Sequence, residues 1–302
     1  MKPALLVLAA GIGSRYGGVK QIDGVGRHNE TLLDYSTYDA KRAGFGKAVY
    51  VIRPEIEKEF CERFFNRVSK NFDAEYVFQT HDKFLNSMQL TAAKDRKKPW
   101  GTIHAVICAK DAVKTPFAII NADDYYGRSA FEIMGKYLSS ITNESTEHAM
   151  VGYMLGNTLS KSGMVSRGIC EIKNNELASM KENKEIGYEG NRIISIIDGK
   201  KIECTGNEWV SMNFFGFSIM VMENFVQYFE KFISENAENE KAECLLPSGV
   251  NEIVSSGKGK IKFFTSQDNW FGMTYPEDRE KVRKEIEKKI NDGCYPDMLW
   301  EK

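Results

Sequence analysis

Residues 6–21 read LVLAAGIGSRYGGVKQ, an apolar run that passes into a glycine-rich segment with two cations. The run from Ala4 to Ala10 is apolar throughout, which is typical of a strand buried on both faces of a parallel sheet. Glycines let backbone N–H groups approach an anion without interference from a side chain. Arg15 can grip phosphate oxygens in pairs, and Lys20 adds a compact positive charge. The segment therefore predicts a loop that holds a triphosphate.

Two common phosphate-binding loops do not fit this segment. A Walker loop requires Lys and then Ser or Thr directly after its last glycine, whereas Val19 and Lys20 follow Gly18. The dinucleotide-binding fingerprint G-x-G-x-x-G fails because Tyr16 stands where its third glycine belongs. A plain strand-to-helix turn with surface cations remains the alternative interpretation.

The first half of the chain alternates strand patterns with helical patterns. Further apolar runs lie at 48–52, 74–78 and 116–120, and helical patterns lie at 31–43, 55–69 and 102–113. This alternation predicts an α/β fold built on a doubly wound, mostly parallel sheet.

The second half has short strand patterns separated by polar breaks instead of alternating strands and helices. Short strand patterns lie at 150–155, 168–173, 192–197 and 210–219, and polar breaks such as KNNE and IDGKK suit hairpin turns. A helix at 243–256, a strand at 260–265 and a helix at 276–292 follow. We expect an antiparallel lobe added to the first sheet. Because no linker or repeat is visible, we expect a single domain over 1–302, with lobes at 1–145 and 146–302.

Composition excludes several classes of protein. The chain has 302 residues, 27% of them charged, and a net charge of -1, so it has no overall attraction for nucleic acid or anionic membranes. Its first apolar run is too short to span a membrane and lacks the shape of a signal peptide. The six cysteines have no metal-binding spacing and suggest reduced thiols. We expect a cytoplasmic protein without nucleic-acid or membrane partners; a homo-oligomer is compatible with the sequence.

A pair of carboxylates follows the apolar run 116–120. Asp123 and Asp124 stand in the segment NADDYYG, at the sheet edge where the glycine-rich loop is expected. Carboxylate oxygens are hard ligands that suit Mg²⁺, which is usually held by one or two carboxylates together with phosphate oxygens. A turn that caps the strand end is the alternative.

Two motifs resemble those of the sugar-phosphate nucleotidyltransferases, and in particular of the glucose-1-phosphate uridylyl- and thymidylyltransferases. LAAGIGSRYGGVKQ resembles their first signature, and PWGTIHAV resembles their second nucleotide-binding element. The resemblance implies a Rossmann-like fold of the nucleotide-diphospho-sugar transferase type, with a nucleotide-binding lobe followed by a sugar-binding lobe. The residues that it implies for the nucleotide are Ala10, Gly11, Gly13, Ser14, Gly101 and Thr102. It also implies that Arg15, Lys20 and Asp123 are catalytic and that Asp123 and Asp124 hold Mg²⁺.

The same resemblance implies a reader for the base. Uridylyltransferases of this kind have a Gln just after the third strand, and Gln79 stands at that place in YVFQ. An insertion at 81–99 separates Gln79 from Gly101, where relatives have only a few residues. The base therefore stays open among uracil, thymine and cytosine.

The sugar-binding lobe resembles the family in three stretches. The resemblance implies that Gly168, Glu182 and Asn213 contact the sugar. Relatives often have Lys directly after the Glu, whereas this chain has Asn183. The contact with the sugar phosphate then falls to Lys181, Lys184 or Arg167. A late metal-binding Asp of some relatives is replaced by Gly272, which leaves Asp268 and Asn269 as candidates for a second ligand.

These features together predict an enzyme that joins a nucleoside triphosphate, UTP or dTTP, to a sugar 1-phosphate and releases pyrophosphate. A phosphate nucleophile needs no general base, which agrees with the lack of an obvious nucleophile–histidine arrangement among only four histidines. A cytidylyltransferase acting on phosphocholine or an alditol phosphate is the first alternative. A glycosyltransferase or a non-catalytic nucleotide-sugar binder is the second.

Overall fold

The computed structural model describes residues 1–11, 22–197, 199–266 and 268–300. Its strands are β1 (Ala4–Leu8), β2 (Lys47–Ile52), β3 (Ala74–Phe78), β4 (Phe117–Asn121), β5 (Asp124–Tyr125), β6 (Glu147–Met154), β7 (Val165–Lys173), β8 (Glu176–Glu189), β9 (Arg192–Ile197), β10 (Lys200–Cys204), β11 (Trp209–Phe217), β12 (Lys260–Thr265) and β13 (Phe271–Gly272). The strands predicted at 74–78, 192–197 and 260–265 agree residue for residue with β3, β9 and β12.

The helices pack on this framework. They are α1 (Leu32–Arg42), α2 (Glu57–Phe60), α3 (Asn66–Val68), α4 (Ser87–Ala92), α5 (Thr102–Cys108), α6 (Arg128–Ser140), α7 (Val221–Asn236), α8 (Leu246–Ser255) and α9 (Asp278–Asn291). Thr31 caps the start of α1 with a capping box. The hydroxyl of Thr31 accepts from the N–H of Asp34, and the carboxylate of Asp34 accepts from the N–H of Thr31. The helix expected at 55–69 is interrupted between α2 and α3 by a π-helical turn at Cys61–Phe65.

Eleven strands form one mixed sheet in the order β10-β9-β8-β12-β6-β11-β4-β1-β2-β3, with β7 paired to β11 and β8. The four strands β3-β2-β1-β4 are parallel, and β12 is parallel to β6. Strand β11 runs antiparallel to β4 and β6, and β7 to β10 are joined as antiparallel ribbons. The parallel strands predicted for the first half and the antiparallel strands predicted for the second half are both present, and together they make the sheet mixed.

A tight turn explains much of this antiparallel character. The predicted KNNE turn joins β7 to β8, and both Asn174 (φ 52°) and Asn175 (φ 61°) are left-handed. Two consecutive left-handed residues are typical of hairpin turns, which can only connect antiparallel strands.

Both faces of the sheet are covered. Alternate residues of β1 enter two different hydrophobic clusters. Leu5 and Val7 contact the cluster that contains residues of α1, α6 and α9. Leu6 and Leu8 contact the cluster that contains residues of α5, α7 and α8. The strand predicted to be buried on both faces is therefore confirmed.

No helix in the described part of the chain is both long and apolar enough to cross a bilayer. All six cysteines lie in that part, and each is a free thiol.

The segment after α9 is fastened to α1 by a buried carboxyl group. The hydroxyl of Tyr295 donates to Oδ2 of Asp39 at 2.6 Å. Asp39 is 1% exposed, and burial raises its pKa from 3.8 to about 7, although the Tyr295 hydrogen bond acts in the opposite direction. The folded protein therefore keeps this group protonated over a pH range in which the unfolded chain has already lost the proton.

We predict that this group makes stability fall as pH rises from about 4 to about 7, because the folded state binds more protons there. Asp39→Asn removes the titration, so the difference in melting temperature between pH 5 and pH 8 should become smaller. The control is Asp111→Asn, since the Asp111 side chain is fully exposed. Scanning calorimetry at both pH values measures the difference, and an unchanged difference in Asp39→Asn contradicts the prediction.

Candidate active site

A cleft opens at the carboxyl ends of β1 and β4. These strands are parallel neighbours, with Leu8 opposite Asn121, so the segments that follow them leave from the same edge. Strand β2 lies on the other side of β1, which means that the chain connections diverge between β1 and β4. Ligands of open α/β sheets bind in the crevice at such a point. Gly11 follows β1 and Asp123 follows β4 at this edge.

The cleft encloses about 200 Å³ and gathers residues from both halves of the chain. The sequence-predicted residues that line it are Thr102, Asp123, Asp124, Gly168, Glu182 and Asn213. Further lining residues include Asn121, Ser166, Arg167 and Trp270. One residue predicted for the nucleotide, both predicted for the metal and all three predicted for the sugar thus line one cavity.

The two aspartates are held differently. Asp124 is buried, and its Oδ2 accepts from Nδ2 of Asn121 at 2.9 Å. The hydroxyl oxygen of Tyr126 lies 3.2 Å from the same carboxylate oxygen. Asp123 is only half-buried and lines the cleft. The arrangement fixes the orientation of Asp124, and Asp123 is the more exposed of the two.

Gly272 faces Asp124 across a short strand pair. Strands β13 and β5 are antiparallel, with Gly272 directly opposite Asp124. A Cβ placed on Gly272 would overlap Oδ1 of Asp124 and lie 2.8 Å from the ring of Trp270. The position at which some relatives have Asp therefore has no room for a side chain here, because Asp124 occupies the space.

The far end of the cleft is formed by the β7–β8 ribbon. Gly168 is paired with Glu182 across it. The hydroxyl of Ser166 donates to Oε1 of Glu182, and burial raises the pKa of the Glu182 carboxyl. A Cβ on Gly168 would lie 3.4 Å from Oε2 of Glu182 and 2.9 Å from the sulfur of Met180. The glycine thus keeps the carboxylate accessible.

Asn213 sits at an irregularity of β11. The register of β11 against β6 shifts between Ser211 and Phe215, and Asn213 has a left-handed backbone with φ 61°. Its Nδ2 donates to Oδ1 of Asn121 at 3.3 Å. Bulges and left-handed non-glycine residues are enriched at functional sites, where they redirect a side chain. Asn121 therefore links the aspartate end of the cleft with the sugar-binding end.

Arg167 is the cation of the cleft among the described lining residues. Its guanidinium donates to Oγ1 of Thr158 at 3.0 Å, to the carbonyl of Thr158 and to the carbonyl of Ser166 at 2.7 Å. It also lies over the ring of Trp270, 4.9 Å from the ring centroid. Burial lowers its pKa to about 10, so it stays charged at neutral pH.

Gln79 lies in a buried network beside the second nucleotide-binding element. Its Nε2 is 3.1 Å from the carbonyl oxygen of Gly101 and 3.1 Å from Nδ1 of His104. Nε2 of His104 lies 3.0 Å from the carbonyl oxygen of Lys83. Burial lowers the pKa of His104 to about 4, so its ring is neutral at pH 7, with its hydrogen on the nitrogen that faces Lys83.

The glycine of that element is required by its surroundings. Gly101 has φ 108°, and a Cβ there would lie 2.5 Å from the carbonyl oxygen of Cys244. The neighbouring Thr102 accepts at Oγ1 from the N–H of Leu246 at 2.7 Å. The start of α5 is thereby fastened to the segment that begins α8.

Comparison with known proteins identifies the fold. No protein-family model and no curated protein sequence matches the chain. The inositol-1-phosphate CTP transferase from T. maritima is similar, with 12% identity, 96% of each chain covered and a TM-score of 0.61. A Bacillus anthracis protein assigned as a glucose-1-phosphate thymidylyltransferase, in complex with a sucrose, is 12% identical over 95% of each chain, with a TM-score of 0.64. A UDP-glucose pyrophosphorylase complexed with UDP-glucose is 16% identical, with 96% of this chain and 100% of its own covered and a TM-score of 0.57.

The chain has the fold of the sugar-phosphate nucleotidyltransferases.

The nucleotidyltransferase fold accounts for where each predicted residue lies. Ala10 is buried at the end of β1, and Gly11 is exposed beyond it. Gln79 and Gly101 form the network beside α5 rather than the wall of the cleft described above. Four predicted residues of the glycine-rich loop lie outside the described residues: Gly13, Ser14, Arg15 and Lys20.

The late candidates for a second metal ligand are not supported. Oδ2 of Asp268 accepts from the N–H of Ser129 at 2.7 Å, at the start of α6. Asn269 is exposed and is not among the described lining residues of the cleft. In the described ranges, no cluster of three or more His, Cys, Asp or Glu is placed to hold a metal.

Sequence reasoning missed several lining residues of this nucleotidyltransferase fold. Asn121 ends an apolar strand, so the strand pattern alone does not mark it as a site residue. Its position two residues before Asp123 is the only local feature that could have indicated it. Trp270 is largely buried at 8% exposed, and it also lines the cleft. The hydrogen bond of Ser166 to Glu182 depends on the pairing of β7 with β8, which the sequence did not predict.

Proposed function

We propose that the protein is a Mg²⁺-dependent nucleotidyltransferase that condenses UTP or dTTP with a sugar 1-phosphate, giving a nucleotide sugar and pyrophosphate. One observation carries the proposal: Asp123, Asp124, Glu182 and Asn213 all line a single cleft. A carboxylate pair suits the metal of a triphosphate, and a carboxylate with an amide suits the hydroxyls of a sugar ring. The two substrates then meet at the carboxyl edge of the sheet.

The triphosphate end is supported by topology. Gly11, the first residue of the glycine-rich segment, lies at the same sheet edge as Asp123, which follows β4. The sequence of the loop supplies Arg15 and Lys20 for the phosphate oxygens. Since these cations act where pyrophosphate charge develops, they stabilise the departure of the leaving group.

The donor set fits Mg²⁺. Asp123 offers a half-buried carboxylate that lines the cleft, and Asp124 offers a second one that Asn121 orients. When bound there, the metal supplies positive charge to the phosphate oxygens. Gly272 makes room for Asp124, so Asp124 replaces the late carboxylate that some relatives contribute from the other strand.

The nucleophile needs no base from the protein. A phosphate monoester has a second pKa near ~6 and is mostly dianionic at neutral pH. The difficulty is electrostatic, because two unit charges about 4 Å apart repel by roughly 4 kcal/mol at an effective dielectric near 20. The work of this chain is to orient the acceptor with Glu182 and Asn213 and to offset the repulsion with its cations. No histidine or cysteine is among the described lining residues, which agrees with a reaction that needs no general base from the protein.

Gln79 supports a preference for uracil or thymine. A carbonyl oxygen can only accept, so the nitrogen of the amide must face Gly101. The amide oxygen is thereby kept as an acceptor for another donor. Uracil and thymine can donate to such an acceptor from N3 and cytosine from its exocyclic amino group, so the choice of uracil or thymine comes from the resemblance of Gln79 to the base-reading Gln of uridylyltransferases.

A cytidylyltransferase is the second candidate, because one of the similar structures is an inositol-1-phosphate CTP transferase. A panel of nucleoside triphosphates against sugar 1-phosphates, inositol 1-phosphate and phosphocholine, scored by pyrophosphate release, decides between them. Highest turnover with UTP or dTTP and a sugar 1-phosphate supports the proposal. Highest turnover with CTP moves the protein to the alternative, and the absence of turnover with every pair contradicts both.

We predict that Gln79→Ala raises the Michaelis constant for the preferred nucleotide and flattens the preference among bases, by about 10-fold or more. A site that hydrogen-bonds a base rejects a wrong base because a buried polar group stays unpaired. Steady-state kinetics with UTP, dTTP and CTP measure the effect. The control is Gln89→Ala, since Gln89 caps the exposed helix α4 in the insertion. Unchanged discrimination in Gln79→Ala assigns base reading to another part of the chain.

A further inference from the structure

We infer that Arg167, backed by the indole of Trp270, binds the phosphate group of the acceptor. This inference rests on the proposed function and deepens it, because it assigns the charge that recognises the sugar 1-phosphate. The residue directly after Glu182 in many relatives is Lys, and this chain has Asn183 there.

The guanidinium is built into the cleft. Arg167 is 7% exposed, and its β7 neighbours Ser166 and Gly168 line the same cavity. Three hydrogen bonds to Thr158 and Ser166 fix the plane of the group. A guanidinium has more N–H donors than these three contacts use, so donors remain for a ligand. Fixing the fork in advance reduces the entropy that is lost on binding.

Its charge is not neutralised by a close partner. Within the described residues, Arg167 forms no ion pair with any carboxylate within 4.0 Å, although most other arginines there do. The carboxylates of Asp124, Glu182 and Asp123 act on it from a longer range. The cation is therefore within electrostatic range of the aspartate pair and of Glu182. The phosphate of a sugar 1-phosphate has to lie between these groups if the sugar is held by Glu182 and the phosphorus of the nucleotide lies near Asp123.

Trp270 adds a second feature that points to a ligand. The indole is 8% exposed, and its Nε1 has no hydrogen-bond partner among the described residues. A buried polar hydrogen without an acceptor is costly in a folded protein. Since Trp270 lines the cleft and stacks on Arg167, an oxygen of a bound phosphate supplies the acceptor that the protein does not.

The rival cations are placed less well. Lys181 and Lys184 are both exposed and are not among the described lining residues of the cleft. A flexible exposed ammonium is strongly hydrated, whereas a buried guanidinium with a fixed fork binds phosphate oxygens in pairs. Of the three candidates that the sequence left open, Arg167 is the one with the required geometry.

Kinetics with two substrates test the assignment. Arg167→Gln should raise the Michaelis constant for the sugar 1-phosphate on the order of 10–100-fold, with that for the nucleotide changed by no more than about 2-fold. Arg167→Lys should recover part of the loss because it keeps the charge. The matched controls Lys181→Gln and Lys184→Gln should leave both constants unchanged. Equal changes for both substrates, together with a lowered melting temperature, show a structural role and overturn the inference.

A binding experiment separates this inference from the proposed function. Inorganic phosphate is titrated into the protein while tryptophan fluorescence is recorded, with Trp270→Phe identifying the reporting ring. We expect a saturable change that Arg167→Gln abolishes and Lys184→Gln preserves. If no sugar 1-phosphate is turned over but this dependence holds, the proposed function fails and the anion site stands. If turnover is normal in Arg167→Gln, or the fluorescence change survives in it, the anion site fails and the proposed function stands.

Discussion

Asp123→Asn leaves the protein folded and lowers pyrophosphate release by about 1,000-fold or more, since removing a metal-binding charge costs several kcal/mol of transition-state stabilisation. The amide keeps the size of the side chain and loses its charge. Asp123 is the more exposed member of the pair and takes no part in the hydrogen bonds that orient Asp124. Its replacement should therefore disturb the ligand site more than the fold. Pyrophosphate release and circular dichroism together measure the two effects.

Asp124→Asn is the matched variant for this experiment. We expect a smaller loss, because Asp124 is buried and its carboxylate is already hydrogen-bonded to Asn121 and Tyr126. The reverse order of the two losses moves the principal ligand to Asp124. Full activity in the double variant contradicts a metal site on these residues.

The metal can be followed without turnover. Mn²⁺ binding in the absence of substrates, measured by electron paramagnetic resonance, should weaken strongly in Asp123→Asn and remain in Asp111→Asn. Activity of the unchanged protein should disappear with a chelator and return with Mg²⁺ or Mn²⁺, whereas the larger Ca²⁺ should support little turnover. Chelator-resistant synthesis of a nucleotide sugar contradicts the metal assignment.

The sequence predicted the elements whose signal is local. Strands β1, β2 and β4 are largely apolar runs because both of their faces are buried, and such runs can be recognised without knowledge of their neighbours. The aspartates could be placed at the sheet edge for the same reason, since they directly follow β4. Gly168, Glu182 and Asn213 were found through resemblance to a family, and the cleft brings all three together.

The elements that were missed depend on distant partners. Strand β8 was not predicted because ELASMKENKEIGYE is rich in charge, and it becomes a strand by pairing with β7 and β9. The antiparallel course of β11 beside β4 cannot be seen in either strand alone. The choice of Arg167 over two lysines also needed the folded chain, because burial and not residue type distinguishes them.

Gly272 shows how such a non-local relation can be tested. We predict that Gly272→Ala lowers turnover by about 100-fold, because misplacing a catalytic group by about 1 Å costs that much. Overpacking should also lower the free energy of unfolding by about 1–3 kcal/mol. The new Cβ would overlap Oδ1 of Asp124, which lies directly opposite on β5. The control is Gly156→Ala, where the nearest atom would be 3.3 Å away. Pyrophosphate release and chemical unfolding measure the two effects.

A reciprocal exchange takes this prediction one step further. Gly272→Asp alone should be inactive, because two carboxylates cannot share the space that Asp124 already fills. Combining it with Asp124→Gly moves the carboxylate from β5 to the opposite strand and removes the overlap, so the double variant should regain part of the lost Mn²⁺ affinity and turnover. If Gly272→Ala keeps normal activity, Asp124 does not need its observed position. If the double variant is no better than Gly272→Asp in both Mn²⁺ binding and turnover, the two strands are not interchangeable donors of the second carboxylate.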